Sequence, residues 1–119
     1  MAFSANSFQI STRFEKEVFF IRTSGYIDNE AGEKILEAMN EGFGLGARKF
    51  LVNFQASPVI NSQGVSAIFQ LSEQIVDFRK GRLTFVGLSQ TAMMVFRNTG
   101  LLEVAGSVTT EPEALKELA

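Results

Sequence analysis

Residues 8–12 set Phe8 and Ile10 between Gln9, Ser11 and Thr12. This alternation predicts a strand with one wet face, the kind found at a sheet edge. Glu15, Lys16 and Glu17 form a polar turn. Val18-Phe19-Phe20-Ile21-Arg22-Thr23 is a continuous β-favouring run and predicts a more deeply buried strand, broken by Gly25. Asp28 then caps a helix expected to reach about Gly42, because Ala31, Ile35 and Met39 recur at every fourth position with Leu36 and Ala38 beside them. Glu30 and Lys34 make an i,i+4 pair of the favourable orientation. Gly42, Gly44 and Gly46 crowd the exit.

Phe50-Leu51-Val52-Asn53-Phe54 is the most apolar short run between turn signals and reads as a central strand. Pro58 takes the chain out of the sheet because it cannot donate to a ladder. A second helix begins near Asn61 or Ser62, with Val65, Ile68, Phe69, Ser72, Ile75 and Val76 along one face. Arg79 and Lys80 suit the dipole of its last turn, and Gly81 is its expected stop. Leu83-Thr84-Phe85-Val86 is another strand. Ser89 caps a third helix with Ala92, Met93 and Phe96 inward, ended by Gly100 with Leu101 packed behind it. Residues 104–109 read as a last strand. Thr110-Glu111-Pro112-Glu113 is a capping box opening a final helix that buries Leu115 and Leu118. The order β-β-α-β-α-β-α-β-α predicts an α/β fold: a mixed sheet of about five strands with about four helices, joined by right-handed crossovers after the first hairpin. No linker, repeat or low-complexity stretch divides residues 1–119, so a single domain is expected.

Composition narrows the function. The chain has 119 residues, enough for one core. Its twelve phenylalanines are expected to fill that core. A formal net charge of −2, with no stretch that concentrates Lys and Arg, disfavours nucleic acid as a partner. There is no cysteine and no histidine, which removes thiol chemistry, the commonest general base and the commonest metal ligand together. A binding domain without cofactor or metal is therefore expected, not an enzyme. Residues 1–7 lack the basic start and apolar run of a signal peptide, and no apolar stretch approaches the ~20 residues that cross a bilayer. The expected location is the cytoplasm, with no membrane insertion.

The segment Val59-Ile60-Asn61-Ser62-Gln63-Gly64-Val65 joins the buried strand to the second helix, so Ser62 falls at or next to the N-cap. This strand-loop-helix segment resembles the Asp-Ser-Ser-Gly motif of the STAS domain of the bacterial anti-sigma factor antagonists. Three further segments agree. Gly25-Tyr26-Ile27-Asp28 resembles the family's turn into the first helix, Phe50 to Phe54 its central strand, and Phe96-Arg97-Asn98-Thr99-Gly100-Leu101 the end of its third helix. The resemblance implies a STAS-like fold and a switch working through protein–protein contact. In the family the first serine of the motif is phosphorylated by an anti-sigma factor that is also a serine kinase, and only the unphosphorylated form binds that kinase. The matching phosphoacceptor is Ser62, and the implied contact set is Asp28, Asn61, Ser62, Gln63 and Gly64. The chain departs from the pattern at Asn61, which replaces an acidic residue, and at Gln63, which replaces the second serine. Asn53 stands where many relatives carry aspartate. Related domains also serve as unphosphorylated subunits of stress-signalling scaffolds or as accessory subunits of lipid-transporting ABC systems, which is the alternative role.

Other features are expected to be structural. Asp28 caps its helix. Met93 packs inward, and Met94 is partly exposed. Phe43 is expected to tuck under the sheet. The spacing Gly42-x-Gly44-x-Gly46 follows a helix, so it is no phosphate loop. Glu103, Glu111, Glu113 and Glu117 read as a solvated acidic end. The strand at residues 8–12 leaves the oligomeric state open, because its edge can be free or paired.

Overall fold

The computed structural model describes residues 7–119; the polar start read at residues 1–6 lies outside them. Strands β1 (Gln9–Glu15) and β2 (Val18–Ser24) form a hairpin. Its two turn residues, Lys16 and Glu17, both take positive φ, at 54° and 71°. That is the mirror-image turn whose twist matches an antiparallel pair. There follow α1 (Asn29–Gly44), β3 (Lys49–Ala56), α2 (Ser62–Ser72) with a π-helical continuation (Glu73–Phe78), β4 (Arg82–Val86), α3 (Gln90–Asn98), the short α4 (Leu101–Val104), β5 (Gly106–Val108) and α5 (Glu111–Leu118).

The sheet keeps sequence order, β1-β2-β3-β4-β5. β1 pairs antiparallel with β2, and the remaining pairs are parallel. Right-handed crossovers that always step the same way lay their helices on one face. The strands obey this. Phe19, Ile21, Phe50, Val52, Phe54, Leu83 and Phe85 point into the main core, with Ala31, Ile35, Ile68, Leu71, Ile75, Phe96 and Leu101 from the helices. The alternate positions Val18, Phe20, Leu51 and Val86 form a second, smaller core closed by Ala114 and Leu118 of α5. Two edge-on ring clusters fill the main core. Phe50 meets Phe19 and Phe43, and Phe96 meets Phe54 and Phe85.

Several boundaries differ from the sequence reading. β1 runs on to Glu15 because β2 pairs with it along its whole length. α1 passes Gly42, whose missing side chain lets the helix lie on the rings of Phe19 and Phe50, and the reversal comes at Gly46 (φ 88°). The buried stripe of the second helix passes through Leu71, while Phe69 and Val76 are only half-buried. The left-handed residue after that helix is Lys80 (φ 56°). Gly81 is required instead because a Cβ there would strike the Arg48 carbonyl. Val104 lies in α4, exposed, so the last strand is three residues long. Leu115 is half-buried beside the deeper Leu118.

Candidate functional site

β2 and β3 leave the sheet side by side and stay paired beyond it. The Gly25 N–H donates to the Ala56 carbonyl at 2.9 Å, and the Ile27 N–H to the Val59 carbonyl at 3.1 Å. The Asn61 N–H donates back to the Ile27 carbonyl at 3.0 Å. Ile27 and Ile60 thus form a one-residue parallel bridge. A buried hydroxyl pair braces the start of this extension. The Thr23 hydroxyl donates to the Asn53 carbonyl at 3.2 Å and lies 2.8 Å from the Ser57 hydroxyl. Both side chains are buried, and the mutual bond removes the cost of leaving them unpaired.

One residue past the bridge, each chain segment caps a helix. Asp28 Oδ1 accepts from the Ala31 N–H at 3.0 Å, and Asn61 Oδ1 from the Gly64 N–H at 2.8 Å. The N-termini of α1 and α2 therefore begin in step. Two glycines make the closeness possible. A Cβ on Gly64 would lie 2.6 Å from the Ile27 carbonyl oxygen, and one on Gly32 would lie 2.6 Å from the Ala67 Cβ. Ser89 adds a third capped terminus, accepting from the Ala92 N–H at 3.1 Å and donating to the Pro58 carbonyl at 2.9 Å. The positive ends of three helix dipoles thus gather at the carboxyl end of the parallel strands.

Ser62 is the first residue of α2, next to the cap, as its position in the sequence predicts. It is exposed, and none of the side-chain hydrogen bonds among the described residues involves it. Gln63 is exposed beside it, Asn61 and Asp28 are half-buried as caps, and Gly64 is buried against Ile27. Tyr26 and Val59 flank the loops as exposed apolar side chains. Between α2 and α3 lies an apolar depression of about 120 Å³ lined by Pro58, Val59, Ile60, Val65, Val95 and Phe96. A more open groove of mixed lining runs between α1 and α2 past Asn29, Glu33, Leu36, Gln63, Ser66, Ala67 and Gln70. The arrangement offers a free hydroxyl, unpaired backbone N–H groups and small apolar pockets, a surface suited to docking. Among the described residues, no cluster of three or more carboxylates could hold a metal ion.

The acidic C-terminal residues are less solvated than expected. Glu111 receives a forked pair of hydrogen bonds from Arg22, at 2.7 and 2.8 Å, and one from Asn53 Nδ2 at 2.8 Å. The Arg22 hydrogen bonds do most to hold the Glu111 carboxyl below the usual carboxylate range. Burial opposes them and the Asn53 bond assists. The same bond raises Arg22. Glu113 completes the capping box with Thr110. Asn53 also accepts from the Gln55 N–H at 2.8 Å, so it is built into the far face, away from Ser62. The bracing pair Thr23 and Ser57 was not among the sequence candidates, and isolated hydroxyls in a strand and a loop carry no signal that they will meet. Phe43 is half-buried under the Arg79 guanidinium, 4.1 Å from its ring centre. Met93 is half-buried and Met94 exposed. Gly42, Gly44 and Gly46 form the helix exit and not a phosphate loop.

Residues 9–114 match the family model of the STAS domain. No curated protein matches the chain. Solved structures of the same fold include an anti-sigma factor antagonist from Mycobacterium paratuberculosis, 16% identical over 97% of both chains with a TM-score of 0.82. The Bacillus cell-fate determinant SpoIIAA in its phosphorylated form is 24% identical over 95% of this chain and 100% of that one, with a TM-score of 0.72. Its unphosphorylated form, 23% identical over 93% and 96%, gives 0.69.

Proposed function

Since this chain belongs to the STAS domain family, we propose that it acts as an anti-sigma factor antagonist, a bacterial cytoplasmic switch that works by binding and not by catalysis. Its partner is an anti-sigma factor that is also a serine kinase, and Ser62 is the phosphoacceptor. Asp28, Asn61, Ser62 and Gln63 form the contact, with Gly64 packed beneath them. The observation that carries this reading is the Ser62 hydroxyl, exposed and unbonded at the mouth of α2 beside the Asp28 turn.

The chemistry follows from that position. A phosphoryl group adds about −1.5 to −2 charge. Asn61 takes the Gly64 N–H. The N–H groups of Ser62 and Gln63, in the first helical turn, have no helical carbonyl to bond, and with the dipole they favour an anion. Asn61 is neutral, so the cap of α2 itself brings no carboxylate next to the new charge. The fold therefore tolerates phosphorylation, in keeping with a relative of the same fold solved in its phosphorylated and unphosphorylated forms. A partner seated on Tyr26, Val59 and the serine loop would instead have to desolvate a dianion at its centre, and binding fails.

Incubation with ATP and the cognate kinase, followed by mass spectrometry, is expected to place phosphate on Ser62. Ser62→Asp should weaken capture of that kinase by at least about tenfold. Its melting temperature should move by no more than about 4 °C, the shift that goes with roughly 1 kcal/mol. Absence of label on Ser62 with active kinase would leave the unphosphorylated scaffold or transporter subunit as the role.

A further inference from the structure

The fold brings together basic residues from three separate segments of the chain. The end of the sheet away from Ser62, where β2, β3 and β4 begin, carries Lys16, Arg48, Lys49, Arg79, Lys80 and Arg82. The Arg82 N–H donates to the Arg48 carbonyl at 2.8 Å, and Arg48 Nη1 to the Arg79 carbonyl at 2.9 Å. Lys49 is the register partner of both Arg82 and Val18, and Val18 follows the turn that holds Lys16. Arg82 is engaged, donating to the carbonyls of Glu117 and Ala119. The other five have no carboxylate within ion-pair distance. The ion pairs among the described residues are Arg13 with Glu15, beside the Lys16 turn, and Arg22 with Glu111, farther along the sheet. Glu15, Glu17, Asp77 and Glu117 lie at this end too, and Glu15 is paired with Arg13, so five unpaired cations stand against three unpaired carboxylates.

Apolar side chains protrude among them. Phe78, next to Arg79, is 67% exposed, the highest value among the large apolar side chains described. Leu45, three residues before Arg48, is 55% exposed. The stack of Arg79 on Phe43 brings the two segments together. α-Helical spacing would set Phe78 on the buried face of Leu71 and Ile75, but the wider π-helical turn of Glu73–Phe78 swings it outward.

We infer that this end is a docking surface for a bilayer rich in anionic headgroups. Unpaired cations beside exposed Phe and Leu match such a surface in both charge and apolar reach. Phe78 alone could stack on a base, whereas Leu45 adds aliphatic reach that an acyl boundary takes up and a base does not. The bilayer would hold the chain by the end opposite Ser62 and leave the serine loop open.

Co-sedimentation of the full chain with phosphatidylcholine vesicles, with and without phosphatidylglycerol, tests this. Binding is expected only with phosphatidylglycerol and should fade as salt rises. Lys80→Glu should lower partitioning by about fivefold or more. Phe78→Ser should also lower it, with charge unchanged and the melting temperature held, since the ring is exposed. No binding to anionic vesicles at low salt overturns the proposal. So does binding insensitive to Lys80→Glu. Equal binding to a short RNA, with no effect of Phe78→Ser on either ligand, also overturns it in favour of a general polyanion site.

Discussion

Ser62 and Gly64 sit two residues apart and should respond to change in opposite ways. Ser62 touches nothing that holds the fold, so Ser62→Ala should alter unfolding free energy by no more than about 0.5 kcal/mol. Gly64→Ala would drive a methyl against the Ile27 carbonyl, which is backbone and cannot turn aside. Denaturant unfolding should show a loss of about 1–3 kcal/mol. Glu111 gives the molecule a pH dependence whose sign follows from its lowered carboxyl. The stabilisation it provides is complete above the ordinary carboxylate value and disappears as pH falls through the lowered one. Glu111→Gln should therefore flatten the acid limb of a stability–pH curve measured from neutral to well below about pH 4.3. At this scale the cap pattern made Asp28, Asn61, Ser89 and Thr110 readable from the chain. The Glu111 pair was not readable, because Arg22 and Asn53 reach it from strands distant in sequence.

Elements join at this site through small residues and side-chain bonds, and each joint can be tested. Asn53→Asp would set a second carboxylate where an amide now donates to Glu111 at 2.8 Å. The expected cost is about 1–3 kcal/mol, largely removed when Glu111→Gln is added, a coupling a double-mutant cycle measures. Helix and strand types were legible because their periods of 3.6 and 2 are local. The π-helical stretch was not, since Leu71, Ile75 and Phe78 carry an ordinary α-helical spacing. Nor was the Gly32–Ala67 contact, which depends on how two helices cross.

For the whole molecule, the consecutive strand order decides which parts open first. β3 is flanked by strands on both sides and covered on both faces. Hydrogen exchange should find the amides of Phe50, Leu51 and Val52 slowest, and those of the three-residue β5 and of α5 faster by orders of magnitude. Slower exchange in β5 than in β3 would contradict this. The alternation of elements gave the layers correctly, whereas the closing of the far face by α5 rests on long-range pairing that no short segment encodes. That sequential order also bears on synthesis. A chain emerging from the ribosome can zip each strand onto the one just made, without waiting for distant partners. The exception is the greasy back of the sheet at Val18, Phe20, Leu51 and Val86, which stays bare until α5 emerges. A stalled nascent chain lacking that helix is accordingly the species most in need of a chaperone.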